Sequence, residues 1–504
     1  MAYLMGVDLG TSSLKTMMTD ETGKVLALRA REYRFDAPRG GYAEQDPVVW
    51  WDACTETVRG VIADSGVSPD AIAGIGFSGQ MHGAVMLDES GNSIRPAILH
   101  CDARSGDIVE EIKAALGEED VQRLMMNPVY SGFLLVSLLW VKRYEPDRFS
   151  RIRHVCLPKD YLKYRLSGVL SSDHSDASAT LAYDVEKGMW SREILDRFEL
   201  PEEWFPPLYR TAEAVGHITK EAALQTGLSE KTVVVSGGGD QVMQGIGNGV
   251  IAPGAASVNI GTSGQVSFQS DRALRNPLLS TNTFAGFKEN RWITMGAIMN
   301  AGLCLKWWRD VSGQSDYDKL NADVARVRPG SGGVIFLPYL NGERTPHLNP
   351  DLSGSFTGVN LSTGMAEMTR AVMEGVTFAL YQCMEICAGM GLTLNGPVVS
   401  SGGGSRSDVW LQIQADVFDA PVRVAENGEQ ACLGACIAAG AGASVFRDIE
   451  DGCAKTVRYR ETVMMPDPGR HAVYMEYYRL YKELYDAGNV PLTALTRLGR
   501  GNQA

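Results

Sequence analysis

DLGTSSLK at residues 8–15 and NIGTSGQV at residues 259–266 are one short pattern written twice. Each passes from an apolar run through Gly-Thr-Ser into a second apolar run, which reads as a strand, a tight bend and a returning strand. The copies lie about half a chain apart and predict two related halves. Length agrees: 504 residues exceed what one hydrophobic core usually supports, so at least two domains are expected.

Around the first copy, YLMGVDLGTSSLKTMMTDETGKVLALRARE (residues 3–32) reads as a β-meander whose second turn is Glu21-Thr22-Gly23-Lys24. A helix follows in EQDPVVWWDACTETVRGVIADSG, with Asp46-Pro47 as cap and first turn and Gly66 as stop. AIAGIGFSGQ then reads as a buried strand. The second copy is preceded by a Val run and GGGDQ at residues 237–241. A third glycine cluster, SGGGSRSDVW at residues 401–410, follows a Val/Ser strand and opens a helix, an arrangement that receives phosphate or nucleotide on backbone N–H groups. The stretch after Pro466 reads as a packing helix, and Met125-Met126, Trp50-Trp51 and Trp307-Trp308 as core.

Composition excludes several classes. Hydrophobic residues at 44% and charged residues at 21% are ordinary globular values. A net charge of −13 without a dense Lys/Arg block argues against nucleic acid as a partner. The amino terminus lacks a basic region and a long apolar run, and ACLGACIAAGAGASVF (residues 431–446) is too short to span a bilayer, so no membrane and a cytoplasmic location are expected. Nine cysteines without a Cys-x-x-Cys pair read as core thiols in a reducing compartment, ahead of a zinc site.

A Gly-Thr-Ser bend offers consecutive N–H groups and two hydroxyls, and Asp8 just before it is suited to hold Mg²⁺ through water. One copy alone reads equally well as a plain hairpin with a capping Asp; two copies and a third glycine loop favour phosphate. No Gly-x-x-x-x-Gly-Lys-Ser/Thr element occurs. Gly74, Gly76 and Gly79 match Gly-x-Gly-x-x-Gly, but no helix start follows, so dinucleotide binding is rejected.

Together GVDLGTS, EQDPVVWW, GQMHG, LPKDYLKYRLSG, SDHSDAS, GGGDQ, IGTSG, FLPYLNGERTPHLNP, GSFTGVNL, RAVMEGV and GGGSRSDVW resemble, in order and over residues 5–460, the FGGY carbohydrate kinases. The resemblance implies an α/β fold of two RNase H-like domains, of the actin, Hsp70 and hexokinase type, with a cleft between. Residues 1–245 would hold the sugar and the first phosphate loop, and residues 246–504 the ATP. It implies ATP and Mg²⁺ as cofactors, a small sugar or polyol as substrate (D-xylulose first, then ribulose, another ketose or glycerol), and a dimer as the common assembly.

By the same resemblance Asp240 is the catalytic base that accepts the sugar hydroxyl's proton, where an isolated Asp at this position would read as a helix cap. Asp8 would organise Mg²⁺. Thr11, Ser12, Lys15, Gly261 and Thr262 would line the phosphates, and Gly302, Gly403, Gly404 and Asp408 the α-phosphate side and the adenosine. Met81 would wall the sugar, His82 donate to one of its hydroxyls, and Gln241 bind another; for a lone histidine a satisfied core role is the alternative. His100 stands where an apolar Trp wall is usual, and Ser137 where one signature has Lys. Glu343-Arg344-Thr345-Pro346-His347 reads as an interdomain turn network without a catalytic part. A nucleotide switch module is the alternative class, with a sugar-responsive repressor below it.

Overall fold

The computed structural model describes residues 2–501. Its framework is two mixed sheets built to one plan. In the first, strands Tyr3–Leu9, Ser13–Asp20 and Val25–Glu32 form an antiparallel meander, and Ile72–Gly79 and then Val233–Val235 continue the sheet in parallel beyond Tyr3–Leu9. In the second, Ala256–Ile260, Gly264–Ser270 and Trp292–Ile298 form the meander, and Val398–Gly402 and Val422–Val424 continue it in parallel. The two Gly-Thr-Ser bends therefore occupy the same place in their sheets, at the first hairpin of each meander. This repetition makes the fold α/β with two related sheet-containing units.

Local signals explain the elements. Asp46 caps the helix Pro47–Ser65 by accepting from the Val48 amide, and Gly66 ends it at a φ of 64°. The long helix Met365–Gly389 covers the second sheet, and Pro468–Gly501 packs Tyr474, Tyr478 and Tyr481 into the same core.

The helix Gln430–Gly442 follows the second sheet in the chain yet lies on the first sheet, sandwiched between it and the helix Asp240–Gly247. Its close approach depends on glycine. A methyl group at Gly6 or Gly76 would collide with the carbonyls of Cys432 or Ala435, and one at Gly74 would stand 2.9 Å from the Ala439 carbonyl. The Gly-x-Gly-x-x-Gly match thus serves helix-on-sheet packing. The two sheets fall on either side of residue 245, while this helix crosses back. No helix among the described residues is long and apolar enough to cross a membrane.

Candidate active site

Asp8 lies near the end of its strand, half-buried, where Ser78 on the neighbouring parallel strand donates to it at 2.7 Å. Asp240 is the first residue of the helix Asp240–Gly247, with Gly239 in the capping position, so it is not the cap. It is also half-buried, leaving a path to solvent. Burial, and secondarily the negative charge of Asp8, push the Asp240 carboxyl up to about 7. The two carboxylates thus belong to one site, contributed by two different elements of the first unit.

Met81 and His82 line the same region. Met81 packs against Gly239, where an added Cβ would meet its Cγ at 2.8 Å, and joins Ala179, Phe284 and Met295 in a small apolar cluster drawn from both units. His82 adopts a φ of 74°, its ring lies 4.0 Å from that of Phe133, and its Nδ1 is 2.7 Å from the Ala179 carbonyl. A carbonyl only accepts, so Nδ1 carries the proton. Burial lowers the imidazole to about 3, which keeps it neutral. Nε2 therefore offers a lone pair, so the free ring nitrogen is an acceptor where the sequence suggests a donor.

His100 is exposed at the same mouth. Gln241 is engaged on both sides: Gln265 of the second meander donates to its side-chain oxygen, and its side chain bonds the Asp240 carboxyl and steadies the ionised form. Ser137 is buried within the helix Leu134–Tyr144 and nothing in the structure gives it a part here.

The two Gly-Thr-Ser bends are each closed by local hydrogen bonds. In the first, the Gly10 amide donates to Ser13 and the Thr11 hydroxyl to Gln80 at 3.2 Å, leaving Ser12 exposed. In the second, Gly302 donates to the Gly261 carbonyl at 2.8 Å, and a Cβ on Gly302 would stand 2.5 Å from that oxygen. Gly261, Thr262, Gly302, Gly403 and Gly404 converge on one cavity of about 590 Å³ in the second unit.

Two of the expected nucleotide-side residues have other surroundings. Lys15 pairs with Glu429 at 2.6 Å, because the loop before the returning helix brings that carboxylate to it. Asp408 does not line the cavity: the helix starts there, and the capping residue Ser407 and its neighbour Arg406 face the space in its place.

Sequence reasoning missed other members. Lys306, Tyr317 and Asn321 line the cavity, and Asn321 accepts from the Ser407 hydroxyl at 2.8 Å. Tyr317 and Asn321 sit on a helix with no glycine signal to flag it, and Lys306 lies one turn beyond Gly302. Arg344 lies in the loop read as a turn network, yet its exposed guanidinium adds by its charge to the lowering that burial chiefly imposes on both His82 and His100. Its neighbours fix it: Glu343 accepts from the Met299 and Arg344 amides, and the Thr345 hydroxyl bonds the Ser280 carbonyl at 2.5 Å. A lone exposed cation between two buried residues was the signal available.

Comparison with known proteins agrees with this geometry. The N-terminal domain of the FGGY family of carbohydrate kinases matches residues 3–247 and its C-terminal domain residues 256–443. The xylulose kinase of Bacillus subtilis is 34% identical over 486 residues, covering 96% of this chain and 97% of the relative. A gluconokinase of the same organism is 31% identical over 452 residues, covering 86% of each. The crystal structure of the xylulose kinase from Rhodospirillum rubrum superposes with a TM-score of 0.91 at 28% identity, covering 97% of this chain and 99% of the other. Two sheets on one plan, a paired-carboxylate site and a glycine-walled cavity, matched along nearly the whole chain, establish that this protein belongs to the FGGY family of carbohydrate kinases and is an ATP-dependent sugar-phosphorylating enzyme.

Proposed function

We propose that the chain transfers the γ-phosphoryl group of ATP to D-xylulose, giving D-xylulose 5-phosphate, with Asp240 as the base. One observation carries the reading: a half-accessible carboxylate at the start of a helix, raised to about 7 and backed by Gly237 to Gly239. Such a group takes a proton from a hydroxyl near neutral pH. Met81 supplies an apolar wall and His82 an acceptor for a second hydroxyl. Full-length likeness to xylulose kinases supports the choice of sugar.

Mg²⁺ fits this site. Among the described residues no cluster of three or more Asp, Glu, His or Cys forms a cage, and an ion held by one carboxylate, water and substrate phosphates needs none. Asp8 would hold it, and when bound it would offset negative charge on the phosphates. The reading assigns residues 1–245 chiefly to the sugar and 246–504 chiefly to ATP, with Gly261, Thr262, Gly302, Gly403 and Gly404 around the nucleotide. A cytoplasmic location is proposed on the reduced, mostly buried cysteines, and a homodimer on the habit of the family.

The exposed Arg344 and the His100 in place of an apolar wall favour, as a second reading, a sugar acid. A coupled ADP-release assay over D-xylulose, D-ribulose, glycerol and D-gluconate separates the two. Turnover confined to gluconate, or to glycerol, overturns the first.

A further inference from the structure

Behind the triple glycine lies a cluster of five ionisable side chains that the phosphoryl-transfer reading does not use. Lys159, Asp160, Lys163, Asp173 and Asp176 are all fully buried. The Lys159 ammonium is 2.6 Å from Asp160, 2.5 Å from Asp173 and 3.0 Å from Asp176, and Lys163 is 3.0 Å from Asp160. Burying five ionisable groups is expensive, and replacing such a cluster by apolar residues is often neutral or stabilising, so stability alone does not account for it.

Its connections point toward the base. Asp173 accepts from the Ser175 hydroxyl, and the Ser175 oxygen in turn accepts from the Gly239 amide at 3.0 Å. Gly239 immediately precedes Asp240. On the other side Lys163 donates to the Ser236 hydroxyl at 3.3 Å, at the entrance to the same loop. A Cβ on Gly238 would stand 2.9 Å from the Ser175 oxygen, so the loop rests directly on that hydroxyl. Both ends of the segment 236–239 are thereby moored to one rigid group of charges.

We propose that Ser175 is a positioning residue for Asp240: by joining the Gly239 amide to the buried Lys159–Asp173 pair, it fixes where the helix bearing the base begins. Ser236, held by Lys163, is the second mooring. Both hydroxyls are buried and act through the backbone that carries the carboxylate. The inference rests on the assignment of Asp240 as base. A base must sit within hydrogen-bond reach of the hydroxyl, and a displacement of about 1 Å is enough to cost two orders of magnitude.

The test compares Ser175→Ala with the parent enzyme in steady-state assays, with thermal unfolding measured alongside. The expected result is a fall in kcat of about 10-fold or more, with KM for ATP and for the sugar each held within about twofold, because the base acts in the transition state and not in binding. A kcat within twofold of the parent, or KM values that worsen in step with kcat, overturns the proposal. If Ser175→Ala does not fold, Ser236→Ala is judged by the same criteria. Asp240→Asn run in parallel separates the two claims: an active Asp240→Asn removes the base assignment and this inference with it, whereas an inactive Asp240→Asn beside a fully active Ser175→Ala removes this inference alone.

Discussion

Asp8 and Asp240 reach one site from separate elements, and the charge on Asp8 helps hold the Asp240 proton. A base must be deprotonated to work, so kcat/KM is expected to rise with pH through about 7 and level above it. Asp8→Asn removes the like charge and moves this limb to lower pH while reducing activity. An acidic limb that stays at the usual carboxylate range in the parent enzyme contradicts the picture.

The same raised carboxyl has a consequence for stability. The folded protein keeps the proton up to about 7, whereas the unfolded chain releases it near 4. Stability is therefore lost as pH rises between those values, and the full penalty, at most ~4 kcal/mol, is present above them. Asp240→Asn is expected to raise the unfolding midpoint at pH 8 and to show a smaller gain at pH 5. Differential scanning calorimetry at the two values decides it.

Arg344 bears on the sugar. Burial chiefly, and the charge of Arg344 in addition, lower both His82 and His100, so Arg344→Gln is expected to raise the pKa of His100 part of the way, read by NMR of the imidazole. It is also expected to reduce kcat/KM for the sugar by roughly 10-fold while leaving KM for ATP unchanged. A selective effect on ATP would detach Arg344 from the sugar site.

Gly302 rests on Gly261, and a methyl group there would stand 2.5 Å from its carbonyl. Gly302→Ala should therefore raise KM for ATP by about 10-fold or more through displacement of the second loop, with KM for sugar little changed. Calorimetric titration with ATP alone provides the check.

Lys15 and Glu429 are each about one-third exposed, at 33%, so their pair is worth ~0–1 kcal/mol. Lys15→Met and Glu429→Gln are expected to shift the unfolding midpoint slightly and non-additively. Lys15→Met should leave KM for ATP within about threefold. A larger loss would return Lys15 to the nucleotide.

What was legible in the chain was local. The Gly-Thr-Ser bends repeat because each meander needs the same tight first hairpin, and Asp46, Pro47 and Gly66 mark a helix by their own capping chemistry. Asp240 and Met81 were named by the family resemblance, and the glycines beside them only agree with a close approach there. The ion cluster around Lys159 was not, since its members are spread over residues 159–176 and only folding brings them together. Nor was the placement of Gln430–Gly442: a helix apolar on every side carries no stripe to say which surface it will cover. The proton on His82 was out of reach too, because it is set by the carbonyl of Ala179, 97 residues away.

That returning helix orders events during synthesis. One face of the first sheet is bare of its cover until residue 442 has left the ribosome, although the sheet's long strands are made by residue 79 and its last short one by residue 239. The nascent chain must shelter that face, or have it sheltered, while the whole second sheet is translated, and a fragment ended near 245 would expose it permanently.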